Sequence, residues 1–155
     1  MSFERSMLAA QGYIELEMPE DALAELDGLP PEERLSEPAM QLRLFVLMRG
    51  RRWKEAMVVC DEMRRASPEG TTGYIHGAFC LHELGHTAEA RQLLLSGPKA
   101  LLHEPTYHYN LGCYAAVLGD TAEACQHLRR SFEMDSKFRE IAKLDPDLRS
   151  VRDCL

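Results

Sequence analysis

The sequence predicts an all-α protein built from stacked helical repeats. Two observations carry this prediction: the composition favours helix, and one pattern of residues returns every 34 positions. Ala, Leu, Glu, Arg and Met are abundant, and all five are good helix formers. Runs in which Val, Ile or Thr alternate with polar residues, which would indicate β-strands, are missing from the sequence.

The period is clearest in two segments, LGHTAEARQLL (84–94) and LGDTAEACQHL (118–128). Eight of their eleven positions are identical, and the segments lie 34 residues apart. The same offset links four ladders of mostly small or apolar residues without a gap. The ladders are Ala22, Ala56, Ala90 and Ala124; Ala10, Leu44, Ala78 and Gly112; Tyr13, Leu47, Leu81 and Ala115; and Leu26, Cys60, Leu94 and Leu128. A fixed period of this length is typical of a stacked repeat array.

Each repeat contains two amphipathic stretches separated by a residue that breaks a helix. The predicted breaks within the four repeats fall at Met18-Pro19, Gly50, Gly85 and Gly119. Two helices joined by a short turn pack as an antiparallel pair, with small residues where they cross. One such pair cannot bury its own apolar faces, so neighbouring pairs are expected to stack around a continuous core.

Two stretches resemble the tetratricopeptide repeat (TPR) family. They are Tyr74-x-x-Gly77-Ala78-x-x-Leu81 followed by Ala90-x-x-x-Leu94, and Leu111-Gly112-x-x-Ala115 followed by Ala124-x-x-x-Leu128. The resemblance implies a single TPR domain over residues 1–155, folded as a right-handed α-solenoid. Its four repeats would cover about residues 3–36, 37–70, 71–104 and 105–138. The tail at 137–155, with a turn at Asp145-Pro146, resembles the capping helices that cover the last repeat of such arrays.

The segment HELGH (82–86) matches the His-Glu-x-x-His pattern of zinc proteases, in which both imidazoles share one helical face. Gly85, however, occupies the same repeat position as Gly119, in the predicted turn between two helices. The helix should therefore end between His82 and His86, which separates the two imidazoles. A phosphate-binding glycine loop and a Gly-x-Ser-x-Gly motif are also missing. We predict a protein that is not an enzyme, with no catalytic residue, metal site or cofactor.

In TPR proteins the first helix of each repeat lines a concave groove, and the resemblance assigns the groove residues here by register. They are Gln41, Phe45, Met48, Ile75, Phe79, His82, Tyr109, Cys113 and Val117. This stripe is mainly apolar and aromatic, which favours an amphipathic helix or apolar peptide of a partner protein. Two alternatives stay open: the C-terminal helix folds back onto the stripe, or a second copy covers it in a homodimer.

Charge is unevenly distributed along the chain. The net charge of −7 argues against a nucleic-acid partner. Residues 1–37 carry a net charge of −8, whereas residues 38–65 carry +4. The candidate basic patch is the turn RGRRWK, with Arg49, Arg51, Arg52, Trp53 and Lys54. This patch suits an anionic membrane surface or an acidic partner protein. The alternative is that the Trp53 ring packs between helices and the arginines are ordinary surface residues.

The remaining features concern location and partners. Five cysteines without a CxxC pair, in a chain without a secretory signal, predict reduced thiols and a cytoplasmic protein. The tract from Tyr109 to Asp120 is similar to repeats of kinesin light chains. A bacterial adaptor of this kind would bind a protein segment in its groove and link a filament to an anionic membrane, as a peripheral membrane protein. The alternative is a cytoplasmic chaperone that shields the apolar helix of an exported protein.

Overall fold

The computed structural model describes residues 2–155, and this range folds into α-helices and 3-10 helices without a strand. The α-helices are α1 (Phe3–Glu15), α2 (Pro19–Asp27), α3 (Pro31–Arg34), α4 (Glu37–Arg49), α5 (Trp53–Ala66), α6 (Thr72–Glu83), α7 (Thr87–Leu95), α8 (Pro105–Val117), α9 (Thr121–Met134) and α10 (Lys137–Leu144). The 3-10 helices are Lys99–His103 and Pro146–Cys154. The predicted all-α class is therefore confirmed. Within 2–155, no helix is both long enough and apolar enough to cross a membrane.

Four pairs of helices form the array: α1 with α2, α4 with α5, α6 with α7, and α8 with α9. Successive pairs pack through α2 and α4, α5 and α6, and α7 and α8. One alanine in the second helix of each pair is fully buried: Ala22, Ala56, Ala90 and Ala124. Because the backbones approach each other at these positions, a larger side chain would hold the paired helices apart.

The turn inside each pair contains one residue with a left-handed backbone, and these residues are spaced by 34. They are Glu17, Arg51, Gly85 and Gly119, with φ between 58° and 87°. In the third turn the His86 amide donates to the Leu81 carbonyl oxygen at 2.8 Å, as in a Schellman motif. The predicted breaks at Met18-Pro19 and Gly50 do fall between the paired helices, and the left-handed residues of these two turns are Glu17 and Arg51.

The buried apolar residues form two clusters, which corrects the expectation of one continuous core. One cluster lies mainly in α1 to α5, and the other extends from α6 to the C-terminus. Arg64 on α5 lies at the junction, where its Nη1 donates to the Gly73 carbonyl oxygen on α6 at 3.0 Å. A Cβ atom at Gly77 would lie 2.7 Å from the same Nη1. A polar guanidinium therefore occupies part of the interface between the second and third pairs.

The C-terminal segment folds back onto the last pair of helices. Its second capping element is the 3-10 helix Pro146–Cys154, which follows the predicted turn at Asp145-Pro146, where Asp145 accepts the Asp147 amide at 3.0 Å. Cys125 on α9 and Cys154 form a disulfide with their Cα atoms 6.2 Å apart. The expectation of reduced thiols is wrong for this pair, because the fold-back brings together residues 29 positions apart. The other three cysteines are free and buried.

Candidate protein-binding groove

Part of the predicted groove is an open depression between α4 and α6. It has a volume of about 650 Å³. Four predicted groove residues line it, together with Arg49 and Trp53 of the candidate basic patch and three further residues. The predicted residues are Gln41, Phe45, Met48 and Phe79; the others are Leu44, Arg49, Trp53, Thr72 and His76. The structure thus brings the second-repeat and third-repeat parts of the stripe together in one site.

The walls of this depression are aromatic and flexible apolar side chains. Trp53 and Phe79 pack edge to face, with ring centroids 5.7 Å apart. Phe45 remains 50% exposed, and the Arg49 guanidinium lies 5.9 Å from the centre of its ring. Aromatic rings and a methionine form an adaptable apolar surface. Such a surface suits the apolar side of a helix, with Arg49 available to an acidic residue at its edge.

His76 is the titratable group on the floor of the depression. Burial lowers its pKa, because the charged imidazolium loses hydration there. The ring is therefore neutral at pH 7 and adds to the apolar character of the site. The groove residues assigned by repeat register did not include His76.

The C-terminal segment covers the fourth-repeat part of the predicted groove. The Tyr109 hydroxyl donates to Asp145 Oδ2 at 2.6 Å, and the Cys113 thiol lies 3.6 Å from the same oxygen. The Tyr109 ring also packs on Phe138 of α10, with centroids 5.0 Å apart. Tyr109 and Cys113 are buried as a result. Of the alternatives left open by the sequence, folding back of the C-terminus therefore applies to this part of the stripe.

The other predicted groove residues divide between covered and exposed positions. Ile75 is buried, while Val117 at the end of α8 is 46% exposed and lies outside the depression. His82 Nε2 lies 2.8 Å from Asp147 Oδ2, which raises the His82 pKa through that hydrogen bond. The predicted stripe is thus not one continuous open surface. Its second-repeat part and Phe79 form the open depression, and Val117 is exposed apart from it.

The candidate basic patch is partly neutralised by neighbouring carboxylates. Arg52 Nη1 lies 2.6 Å from Glu20 Oε1, and its Nη2 lies 2.7 Å from Glu55 Oε2. Trp53 belongs to the wall of the depression, as the sequence alternative anticipated. Arg51 and Lys54 are exposed, and no carboxylate within residues 2–155 forms an ion pair with either. The free positive charge of this turn therefore lies mainly on Arg51 and Lys54.

The two histidines of HELGH point to different neighbours. Helix α6 ends at Glu83, and Gly85 follows with φ of 87°, so the predicted break between the histidines is confirmed. His82 faces Thr87 and Asp147, whereas His86 Nδ1 lies 3.7 Å from Glu89. A zinc-protease helix needs both imidazoles on one uninterrupted face. The HELGH segment therefore lacks the geometry of that catalytic site.

Comparisons with known proteins identify the fold. No family model matches the chain, and a search of curated proteins finds no significant match. Among solved structures, the MamA RS-1 ArsTM double mutant is 14% identical, with a TM-score of 0.75 over 98% of this chain and 93% of that chain. MamA MSR-1 C2 is 14% identical, with a TM-score of 0.67 over 89% of this chain and 79% of that chain.

A third similar structure is YrrB, described as a TPR protein with an unusual peptide-binding site. It is 16% identical to this chain, with a TM-score of 0.66 over 94% of this chain and 78% of that chain. At these identities the similarity establishes the fold and not the function. This chain is thus an all-α helical repeat array with the fold of a TPR protein.

Proposed function

We propose that this protein is a non-catalytic adaptor that binds an amphipathic helix of a partner protein in the depression between α4 and α6. The observation that supports this most strongly is the half-exposed Phe45 in an apolar site of about 650 Å³. An exposed aromatic side chain in a concave apolar site is a typical anchor point for a partner. We propose a cytoplasmic location, which the three free thiols at Cys60, Cys80 and Cys113 support.

The groove proposal predicts that peptides selected for binding depend on two aromatic residues. A displayed library of random peptides is selected against the purified protein, and affinities of the enriched peptides are measured by fluorescence polarisation. Enriched sequences should show apolar residues at helical spacing with an acidic residue beside them. We expect the double variant Phe45→Ser/Phe79→Ala to bind them at least about tenfold more weakly, because it removes two anchors.

The matched control for this experiment is Val58→Ser. Val58 is 55% exposed and lies outside the depression, so its change should leave peptide affinity unaltered. Enrichment without helical spacing, or equal binding by the double variant, would contradict the proposal. Sedimentation velocity on the same proteins detects a homodimer, and a dimer lost in the double variant would identify a second copy as the occupant. A client that stays soluble only with this protein would favour the chaperone alternative.

A membrane link is a second candidate, favoured by the exposed side chains of Arg51 and Lys54 at the turn from α4 to α5. Residues 109–120 are similar to repeats of kinesin light chains. Together with a membrane-binding turn, this similarity extends the proposal to an adaptor that links a filament to an anionic membrane. The support is narrower than the sequence predicts, because Arg52 is ion-paired and Trp53 is packed on Phe79. The filament part of the proposal rests on the sequence similarity alone.

The membrane candidate predicts binding to phosphatidylserine-containing vesicles and not to phosphatidylcholine vesicles. We expect Arg51→Glu/Lys54→Glu to weaken co-sedimentation at least about tenfold, because each basic residue near an anionic surface contributes about 1 kcal/mol. The matched control, Lys99→Glu/Arg149→Glu, makes the same charge change at other exposed positions. An equal loss of vesicle co-sedimentation in both variants, or vesicle binding that does not weaken as salt is added, would rule out a specific membrane-binding turn.

A further inference from the structure

A cluster of metal-binding side-chain types lies where the C-terminal segment meets the array. Cys113 on α8 faces Asp145 and Asp147, and one ligand atom of each lies within 4.8 Å of the others. His82 at the end of α6 adjoins them, with Nε2 2.8 Å from Asp147 Oδ2. A thiol, an imidazole and two carboxylates thus come from three separate elements of the fold. The sequence separates them by as many as 65 positions, and no motif predicts their meeting.

The cluster is short of positive charge. Within residues 2–155, no Arg or Lys forms an ion pair with Asp145 or Asp147, and Asp147 pairs only with His82. Arg152 donates to the backbone carbonyl oxygen of Asp145 and not to a carboxylate. Two partly buried carboxylates beside a thiol are costly unless they are neutralised. A divalent cation would supply that charge.

Neighbouring groups already hold the cluster in a fixed orientation. His82 Nδ1 lies 2.9 Å from Thr87 Oγ1, and this contact orients the ring with Nε2 towards the carboxylates. Asp145 accepts the Asp147 amide at one oxygen and the Tyr109 hydroxyl at the other. Hydrogen bonds of this kind orient the ligands of protein metal sites. The carboxylate oxygens keep a lone pair for a metal, and His82 Nε2 gains one when it gives up the proton that it donates to Asp147.

We propose that His82, Cys113, Asp145 and Asp147 bind a divalent transition-metal ion, with Zn²⁺ as the ion that fits best. Zinc takes four tetrahedral ligands from Cys, His and carboxylates at about 2.0–2.3 Å, which places neighbouring ligand atoms about 3.3–3.8 Å apart. The ligand atoms of Cys113, Asp145 and Asp147 lie within 4.8 Å of one another, and His82 Nε2 reaches the cluster through Asp147, so a bound ion would draw the four ligands closer together. The thiol favours Zn²⁺ or Co²⁺ over Mg²⁺ and Ca²⁺, which prefer oxygen ligands.

Binding exchanges bound water and two protons for protein ligands. The hydrated ion loses its water ligands, the Cys113 thiol releases its proton to solvent, and His82 Nε2 gives up to solvent the proton that it donates to Asp147, so that a metal–sulfur and a metal–nitrogen bond form. The imidazole nitrogen and two carboxylate oxygens complete the coordination without any change in oxidation state. All four ligands lie where the C-terminal segment contacts the concave face, so a bound ion would join the two. The site is therefore structural, and it would keep the fourth-repeat part of the groove covered.

Cobalt is the probe for this site, because thiolate-bound Co²⁺ absorbs light. Metal-free protein with its Cys125–Cys154 disulfide intact is titrated with Co²⁺ and then with Zn²⁺. We expect one Co²⁺ per chain, the intense visible bands of tetrahedral cobalt, a thiolate-to-cobalt charge-transfer band, and loss of all of them as Zn²⁺ displaces the cobalt. Absence of stoichiometric binding would overturn the proposal.

Three variants test the ligands directly. Cys113→Ser should abolish the charge-transfer band, and Asp147→Asn should weaken Co²⁺ binding by more than the roughly tenfold expected for loss of an outer hydrogen bond. His86→Gln, which changes the other histidine of HELGH, should leave the spectrum unaltered. Circular dichroism checks that each variant folds. If Cys113→Ser does not fold, the Co²⁺ affinity of Asp147→Asn tests the proposal alone. A band that survives in Cys113→Ser, or that disappears equally in His86→Gln, would refute the assignment.

Discussion

Replacing Gly112 with alanine should destabilise the protein by about 1–3 kcal/mol, the usual cost of overpacking a dense core. Gly112 lies where α8 crosses α9, and a Cβ atom there would lie 2.6 Å from Leu128 Cγ and 3.3 Å from the Ala124 carbonyl oxygen. Leu128 is fully buried, so its branched carbon cannot move aside without displacing other side chains. Urea unfolding should show a lower midpoint with an unchanged slope.

The matched control is Gly12→Ala in α1. A Cβ atom at Gly12 would meet nothing within 4 Å, so the only expected effect is on backbone freedom. Because alanine loses less conformational entropy than glycine in a helix, this variant should be more stable by about 0.5–1 kcal/mol. Opposite signs for the two variants would support the close crossing of α8 and α9. A Gly112→Ala protein as stable as the parent would show that this crossing is looser than the structure indicates.

Replacing Leu148 with alanine should cost about 2–5 kcal/mol, the usual range for truncating a fully buried leucine. Leu148 and Val151 of the C-terminal 3-10 helix pack in the apolar core of the last helix pairs. Their loss should uncover Tyr109 and Cys113 before the rest of the array unfolds, because each repeat contacts only its neighbours. Peptide mapping after alkylation should therefore show faster modification of Cys113.

Leu144→Ala provides the control for this experiment. Leu144 lies four positions earlier and is 86% exposed, so its truncation should change stability by no more than about 0.5 kcal/mol. Cys113 should react at the parental rate in this variant. Faster alkylation in both variants, or in neither, would show that Leu148 does not hold the C-terminal segment over the groove.

Much of the groove was predictable from residue spacing, but its accessibility was not. The register placed Phe45, Met48 and Phe79 on one concave face, and all three line the open depression. The same register placed Tyr109 and Cys113 on that face, where Asp145 now covers them. Spacing within repeats says nothing about a tail outside the period, because the tail's contacts depend on how the whole chain folds back.

Two local details lie in the turn of the second repeat. The sequence left open whether Trp53 belongs to the basic patch or packs between helices, and its ring packs on Phe79, which lies 26 positions later. Arg51 adopts a left-handed backbone that usually favours glycine, although Gly50 is next to it. Packing on Phe79 decides the place of the Trp53 ring, whereas Arg51 takes the left-handed backbone of a repeat position that it shares with Gly85 and Gly119. The break within HELGH, by contrast, was predictable because Gly85 and Gly119 share a repeat position.

The sequence by itself determined the class of fold, the period of 34 residues and the helix break between His82 and His86. These features depend on local propensity and on a pattern that recurs at a fixed offset, so they can be recognised without coordinates. Only the tertiary structure decided which part of the groove is open, which cysteines pair, and which side chains gather around Asp145 and Asp147. Those features arise from contacts between residues far apart in the chain, whose distances no local pattern encodes.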